Sequence, residues 1–208
     1  MPVHQCARFS NQPMLSHEKA VKRIVKYLLA TADRGVVFRL DKTCRVECYA
    51  DADFSGNWSK HTSVNDPSTA KSRTGYIIKY ANCPIIWASK LQTQIALSTT
   101  EAEYIALSTA LREVIPLLAL FEEMKVNGIP LFHTIPVIHC KAFEDNLGAL
   151  EMAKSPKMRP PTKHINIIYH HSREQLHTGS IQLHSISTND QLADICTKTL
   201  PQDKFVPL

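Results

Sequence analysis

The chain has 208 residues, 44% of them apolar and 21% charged, a balance that excludes a disordered segment and fits one domain, or one domain with an appendage. Its 24 Lys and Arg against 19 Asp and Glu leave a net charge of +5, which suits a polyanionic partner without requiring one. No apolar run reaches the length of a bilayer crossing, and MPVHQCARFSNQPM carries no signal-peptide core, so neither a membrane partner nor secretion is expected.

Residues 16–31, SHEKAVKRIVKYLLAT, set Ala20, Val21, Ile24, Val25 and Leu28 at three- and four-residue spacing behind Ser16 as an N-cap. That pattern predicts an amphipathic helix with a basic outer face. GVVFRL (35–40) and RVECYAD (45–51) read as the strands of a hairpin joined at DKTC. The polar stretch 56–73 reads as a loop, and TGYIIKYAN with PIIWASK (74–90) as a second antiparallel pair turning at NCP. The long segment 98–128 is a helix capped by Ser98, Thr99 or Thr100, ended by Gly128, and kinked or divided at Pro116. IPVIHCKAFED is a strand ending in acid, and NLGALEMAKS a short helix. TKHINIIYHHSREQLHTG is a helix closed by Gly179, SIQLHSIS a strand, and NDQLADICTKTL a short helix stopped by Pro201. Antiparallel strands first, then strands alternating with helices, predict an α/β mixed sheet covered by helices.

The six cysteines show no CxxC spacing and read as reduced, mostly buried thiols of a reducing compartment. His164, His170, His171, His177 and His184 gather late in the chain, but without a Cys or His pair at ligand spacing no zinc site is expected.

Acids stand at repeated structural positions. Asp51 ends a strand, Glu103 lies early in the long helix, Asp145 ends a later strand and Asp194 sits in the last helix. Each has an ordinary alternative. Asp51 and Asp53 suit a turn, Glu103 a solvated helix start, Asp145 with Asn146 a helix cap, and Asp194 an open surface. Taken together they surround the strand ends of one sheet, where open α/β sheets bind ligands. Clustered carboxylates repel unless protons or hard cations intervene. On this view, Asp51→Asn would stabilise the cation-free chain.

YADADFSG, SRTGYIIKY, PIIWASKLQTQIALSTTEAEYIAL, FEDNLGALEMAKSP, TKHINIIYHHSREQL and NDQLADICTKTLP resemble the ribonuclease H region of copia-type LTR retrotransposon Pol polyproteins, in the same order across residues 45–201. HEKAVKRIVKYLLATADRGVVF resembles the segment that joins the reverse transcriptase to that region. The resemblance implies three parts: 1–34, a reverse transcriptase tail with one amphipathic helix; 35–201, an RNase H-like domain; and 202–208, a short tail. It implies a mixed five-stranded sheet with helices on both faces, and metal-dependent hydrolysis of the RNA strand of RNA–DNA hybrids. The family's four carboxylates fall on Asp51, Glu103, Asp145 and Asp194, as catalytic residues and ligands of two Mg2+ ions, with Mn2+ as a substitute. Glu101 is the rival to Glu103, and Asp53 is a turn-shaping neighbour.

Lys71, Arg73, Asn146, Lys163 and His164 are the candidate nucleic-acid contacts, with solvated surface charge as their ordinary reading. The implied partners are an RNA–DNA hybrid and the reverse transcriptase portion of a longer polyprotein, and the implied location is an intracellular particle or the nucleus. The chain departs from cellular ribonucleases H in LHSISTND, where His184 has no clear counterpart and the proton shuttle stays unassigned. No basic protrusion and no YVDD-like polymerase motif occur. The chain therefore reads as the tail of a longer polyprotein, or as a decayed genomic copy that binds nucleic acid without cutting it. A retroviral-type integrase would need the order Asp, Asp, Glu, whereas this chain offers Asp, Glu, Asp, Asp.

Overall fold

A computed structural model of the chain describes residues 2–41, 45–61, 63–131, 139–154 and 173–201. The chain divides into two compact units, Met1–Phe38 and Arg39–Leu208.

The first unit holds helices α1 (Pro2–Ala7) and α2 (Leu15–Ala30). Sequence periodicity misses the short α1. The cap of α2 is Met14 rather than Ser16, and its backbone N–H is held at 3.0 Å by His17 Nδ1. Glu18 and Lys22 pair one turn apart on the outer face.

In the second unit, β1 (Val46–Asp53) pairs antiparallel with β2 (Arg73–Tyr80), which pairs antiparallel with β3 (Cys83–Leu91). On its other side β1 runs parallel to β4 (Cys140–Glu144), which runs parallel to β5 (Ile181–Ser185). The order is β3-β2-β1-β4-β5, the mixed five-stranded sheet that the resemblance implies. The β2–β3 turn falls on Ala81 and Asn82, both at positive φ (49° and 65°), the backbone hand that suits a two-residue hairpin. Residues 35–40 form no strand. Val36, Val37, Phe38 and Leu40 are exposed, and the fifth strand is β5 instead.

Helix α3 (Thr99–Val126) packs on β1 and β2 through Ala102, Ile105, Ala106 and their neighbours. Pro116 does not divide it. A proline inside a helix costs about 3 kcal/mol, but Pro116 lies on the solvent-exposed side of α3. Burial of Val114, Leu118 and Phe121 on the other side contributes about 1.5–3 kcal/mol each. By length and composition α3 could also cross a membrane, yet its buried side chains form the core of this domain.

Two more helices follow β4: α4 (Leu147–Lys154) and the short α5 (Arg173–His177). The C-terminal helix α6 (Asp194–Thr197) follows β5 and ends four residues before Pro201. Neighbouring strand residues show that α3 and α6 cover opposite faces of the sheet. Thr74 Oγ1 and the Ala102 carbonyl of α3 both accept from Gln92 Nε2, whereas a Cβ on Gly75 would meet Thr197 of α6. Among the described residues Cys48, Cys83, Cys140 and Cys196 are buried free thiols.

Candidate active site

The register of the two parallel strands builds the site. Tyr49 of β1 stands opposite Phe143 of β4. Two residues further along lie Asp51, near the carboxyl end of β1, and Asp145, the first residue past β4. Asp51 is fully buried and Asp145 half-buried.

The start of α3 supplies the third acid. Ser98 Oγ accepts from the Glu101 N–H at 3.1 Å, and Glu101 Oε2 accepts from the Leu97 N–H at 2.9 Å. This reciprocal cap occupies Glu101 and leaves Glu103, two residues on, to face the sheet. One carboxylate oxygen from each of Asp51, Glu103 and Asp145 lies within 4.8 Å of the others. Burial pushes Glu103 up to about 10, with repulsion from Glu144, Asp51 and Asp145 adding to it and the Ala52 backbone N–H opposing it.

Asp194 opens α6. Lys198, just past its end, places Nζ 2.7 Å from Asp194 Oδ1 and 3.0 Å from Asp51 Oδ1. Thr197 donates its hydroxyl to Asp51 Oδ2. Burial raises the Asp194 pKa, and the Lys198 hydrogen bond pulls the other way. Asp51 is therefore compensated, contrary to the simple repulsion expected from clustered acids. Glycine at position 75, opposite Asp51, lets α6 approach this closely, since a Cβ there would stand 2.6 Å from Thr197 Cγ2.

No family model matches the chain. It is 34% identical over 203 residues to the Retrovirus-related Pol polyprotein from transposon RE2 of Arabidopsis thaliana, covering 98% of this chain and 13% of that protein. It is 35% identical over 199 residues to the corresponding polyprotein from transposon TNT 1-94 of Nicotiana tabacum, covering 96% of this chain and 14% of that protein. The chain belongs to the copia-type retrotransposon Pol family. It spans about one-seventh of the length of these curated relatives. Among solved structures it is similar to the N-terminal RNase H domain of Rv2228c from Mycobacterium tuberculosis, at a TM-score of 0.48 and 12% identity over 74% of this chain and 91% of that one.

The remaining candidates of this Pol-family chain take different places. Asp53 folds over the following turn: its Oδ2 would lie 2.0 Å from a Cβ on Gly56, and Ser55 between them has φ 49°. Asn146 Oδ1 accepts from the Ala149 N–H at 3.0 Å and so caps α4. Lys71 is half-buried at the end of the 3-10 turn Pro67–Ala70. Arg73 is not the surface cation expected: it is 1% exposed, with Nη1 3.4 Å from the Ser89 carbonyl. It shares the sheet face of Gly75, on which α6 packs, and its guanidinium is held at Ser89, whose hydroxyl donates to the Cys196 carbonyl of α6. Lys163 and His164 lie outside the described residues, as does most of the helix expected over 162–179.

Sequence reasoning missed Glu144, Thr197 and Lys198. Glu144, the last residue of β4, is fully buried and pushed up to about 9 by burial, the Asn146 N–H opposing and Asp145 adding. The signal available for it was strand alternation: Cys140, Ala142 and Glu144 share one face, so an acid there had to be buried. Glu103 Oε2 and Glu144 Oε2 are buried with no hydrogen-bond partner among the described residues. Three converging carboxylates with an orphaned buried oxygen form a hard-oxygen donor set, and the residues fit a hard divalent cation.

Proposed function

We propose that this domain is a ribonuclease H, a metal-dependent endonuclease that hydrolyses the RNA strand of an RNA–DNA hybrid. The observation that carries the proposal is the convergence of Asp51, Glu103 and Asp145 within 4.8 Å, with Asp194 joined to Asp51 through Lys198. Two Mg2+ ions held by Asp51, Glu103, Asp145 and Asp194 would activate the attacking water and stabilise the departing oxygen. Asp51 and Asp145 are the fixed part of the site, since both stand at the ends of hydrogen-bonded strands. Glu103 is aimed by the α3 cap, and Asp194 by the packing of α6 over Gly75. Water adds to the phosphorus, the bond from phosphorus to the ribose oxygen breaks, and that oxygen leaves with a proton.

The proposal takes an RNA–DNA hybrid and the reverse transcriptase portion of a longer polyprotein as partners, in an intracellular setting. Lys71, Asn146, Lys163 and His164 remain the candidate strand contacts. One observation favours a second reading, a repurposed fragment that binds without cutting: Lys198 already pairs with both Asp51 and Asp194.

Incubation with labelled hybrid, duplex DNA and duplex RNA separates the two. The nuclease cuts the RNA of the hybrid in Mg2+ and not in chelator, and Asp145→Asn binds hybrid without cutting. Binding of hybrid with no cleavage by the unaltered chain in Mg2+ or Mn2+ selects the second reading.

A further inference from the structure

The acid cluster contains a cation of its own. Lys198 Nζ lies 3.0 Å from Asp51 Oδ1 and 2.7 Å from Asp194 Oδ1, both charge-assisted hydrogen-bond lengths. The remaining Asp51 oxygen accepts from Thr197. The two halves of the site therefore differ. Between Asp51 and Asp194 a positive charge is already seated. Toward Glu103 and Asp145, three carboxylate oxygens converge and Glu103 Oε2 has no hydrogen-bond partner among the described residues.

A divalent ion held by Asp51 Oδ1 and Asp194 Oδ1 would take the two oxygens that hold the ammonium. Magnesium binds oxygen at about 2.0–2.1 Å, so such an ion would stand in contact with Nζ. Two cations do not share that position. The lysine side chain is 39% exposed, and its ammonium is a compact charge on a flexible four-carbon stem, able to leave by rotation.

We propose that Lys198 is a resident counter-ion of the Asp51–Asp194 half of the site, so that the domain free of nucleic acid takes up one divalent cation, at Asp51, Glu103 and Asp145. A second ion enters when the ammonium moves away, and the phosphate of a bound strand is the acceptor that draws it off. This inference rests on the metal-dependent reading above.

The test counts ions rather than turnover. The full 208-residue chain, stripped of metal and without nucleic acid, is titrated with Mn2+ by calorimetry, with free Mn2+ followed by electron paramagnetic resonance. The unaltered chain binds one ion, any second at least tenfold more weakly. Lys198→Gln binds two ions of comparable affinity, as does Lys198→Met, which keeps an unbranched apolar stem without the charge and serves if Lys198→Gln does not fold. Lys198→Arg keeps the charge and binds one. Two comparable ions on the unaltered chain, or one ion on a folded Lys198→Gln or Lys198→Met, overturns the proposal. No ion on any variant removes the metal-dependent reading as well.

Discussion

Gly75 stands opposite Asp51 across the β1–β2 pair, and a Cβ on it would lie 2.6 Å from Thr197 Cγ2 and 2.7 Å from Cys196 Cβ. The seat of α6, and with it the positions of Asp194, Thr197 and Lys198, depends on that missing methyl group. Overpacking of this kind costs about 1–3 kcal/mol, so Gly75→Ala lowers the melting temperature by roughly 2–12 °C. It also impairs cleavage of hybrid, because Asp194 is pushed outward with α6. A melting curve equal to that of the unaltered chain would show that α6 does not rest on β2.

The pH dependence of the metal-free domain has a definite sign. Glu103 and Glu144 are pushed up to about 10 and about 9 in the folded chain, while in the unfolded chain they titrate near 4.3. The folded state therefore holds protons that the unfolded state releases, and these groups make stability fall as pH rises from about 4.5 toward 9. Each contributes at most about 1.4 kcal/mol per pH unit. Calorimetric melting in chelator gives a lower midpoint at pH 8 than at pH 6, and Glu144→Gln flattens the difference. A Glu144→Gln profile parallel to that of the unaltered chain would mean Glu144 is ionised when folded.

Glu101 and Glu103 separate by the kind of damage they cause. Glu101→Ala removes half of a reciprocal cap worth about 1 kcal/mol, lowers the melting temperature by roughly 2–4 °C and leaves cleavage within a few-fold. Glu103→Gln reduces cleavage more than about a hundredfold, beyond the loss of an outer partner of a metal site, and does not destabilise the metal-free fold. Asp51→Asn behaves differently from Glu103→Gln: it breaks the Lys198 pair and lowers the metal-free midpoint, the reverse of the expectation from repulsion alone. Melting of the three variants in chelator and in Mg2+, beside single-turnover cleavage, checks the whole set.

Salt dependence separates the two basic residues around the 3-10 turn. If Lys71 contacts one phosphate, Lys71→Gln lowers the slope of log affinity against log salt by about 0.9. Arg73→Gln leaves that slope unchanged and lowers the melting temperature, because it alters a buried side chain held against Ser89. Binding isotherms on hybrid at several salt concentrations decide both.

The strands and the long helix were legible because their apolar periods are regular and their ends are marked: Ser98 before α3, Gly128 after it, and acids where β1 and β4 stop. The three acids that converge, Asp51, Glu103 and Asp145, were legible from that placement together with the family resemblance. Compensation of charge was not. Lys198 and Arg73 look like surface cations until α6 is laid on the Gly75 face of the sheet. The apolar run Val36–Phe38 gave a false strand, since local β-propensity does not supply a neighbouring strand to pair with. Pro116 gave a false break, since packing on one face outweighs a single lost hydrogen bond on the other.

The cap of α3 also acts as an angular index. Ser98 and Glu101 fix where the helix begins, and Gln92 Nε2, 2.9 Å from the Ala102 carbonyl, pins its first turns to the sheet. Glu103 thus reaches the acids at a set phase of rotation. One residue added or removed between Ser98 and Glu103 would turn that carboxylate by about 100° around the helix axis, while every acid of the site remained in the chain. The spacing of five residues is a determinant of the site in its own right, and it would escape any inventory that counts the acids without counting the steps between them.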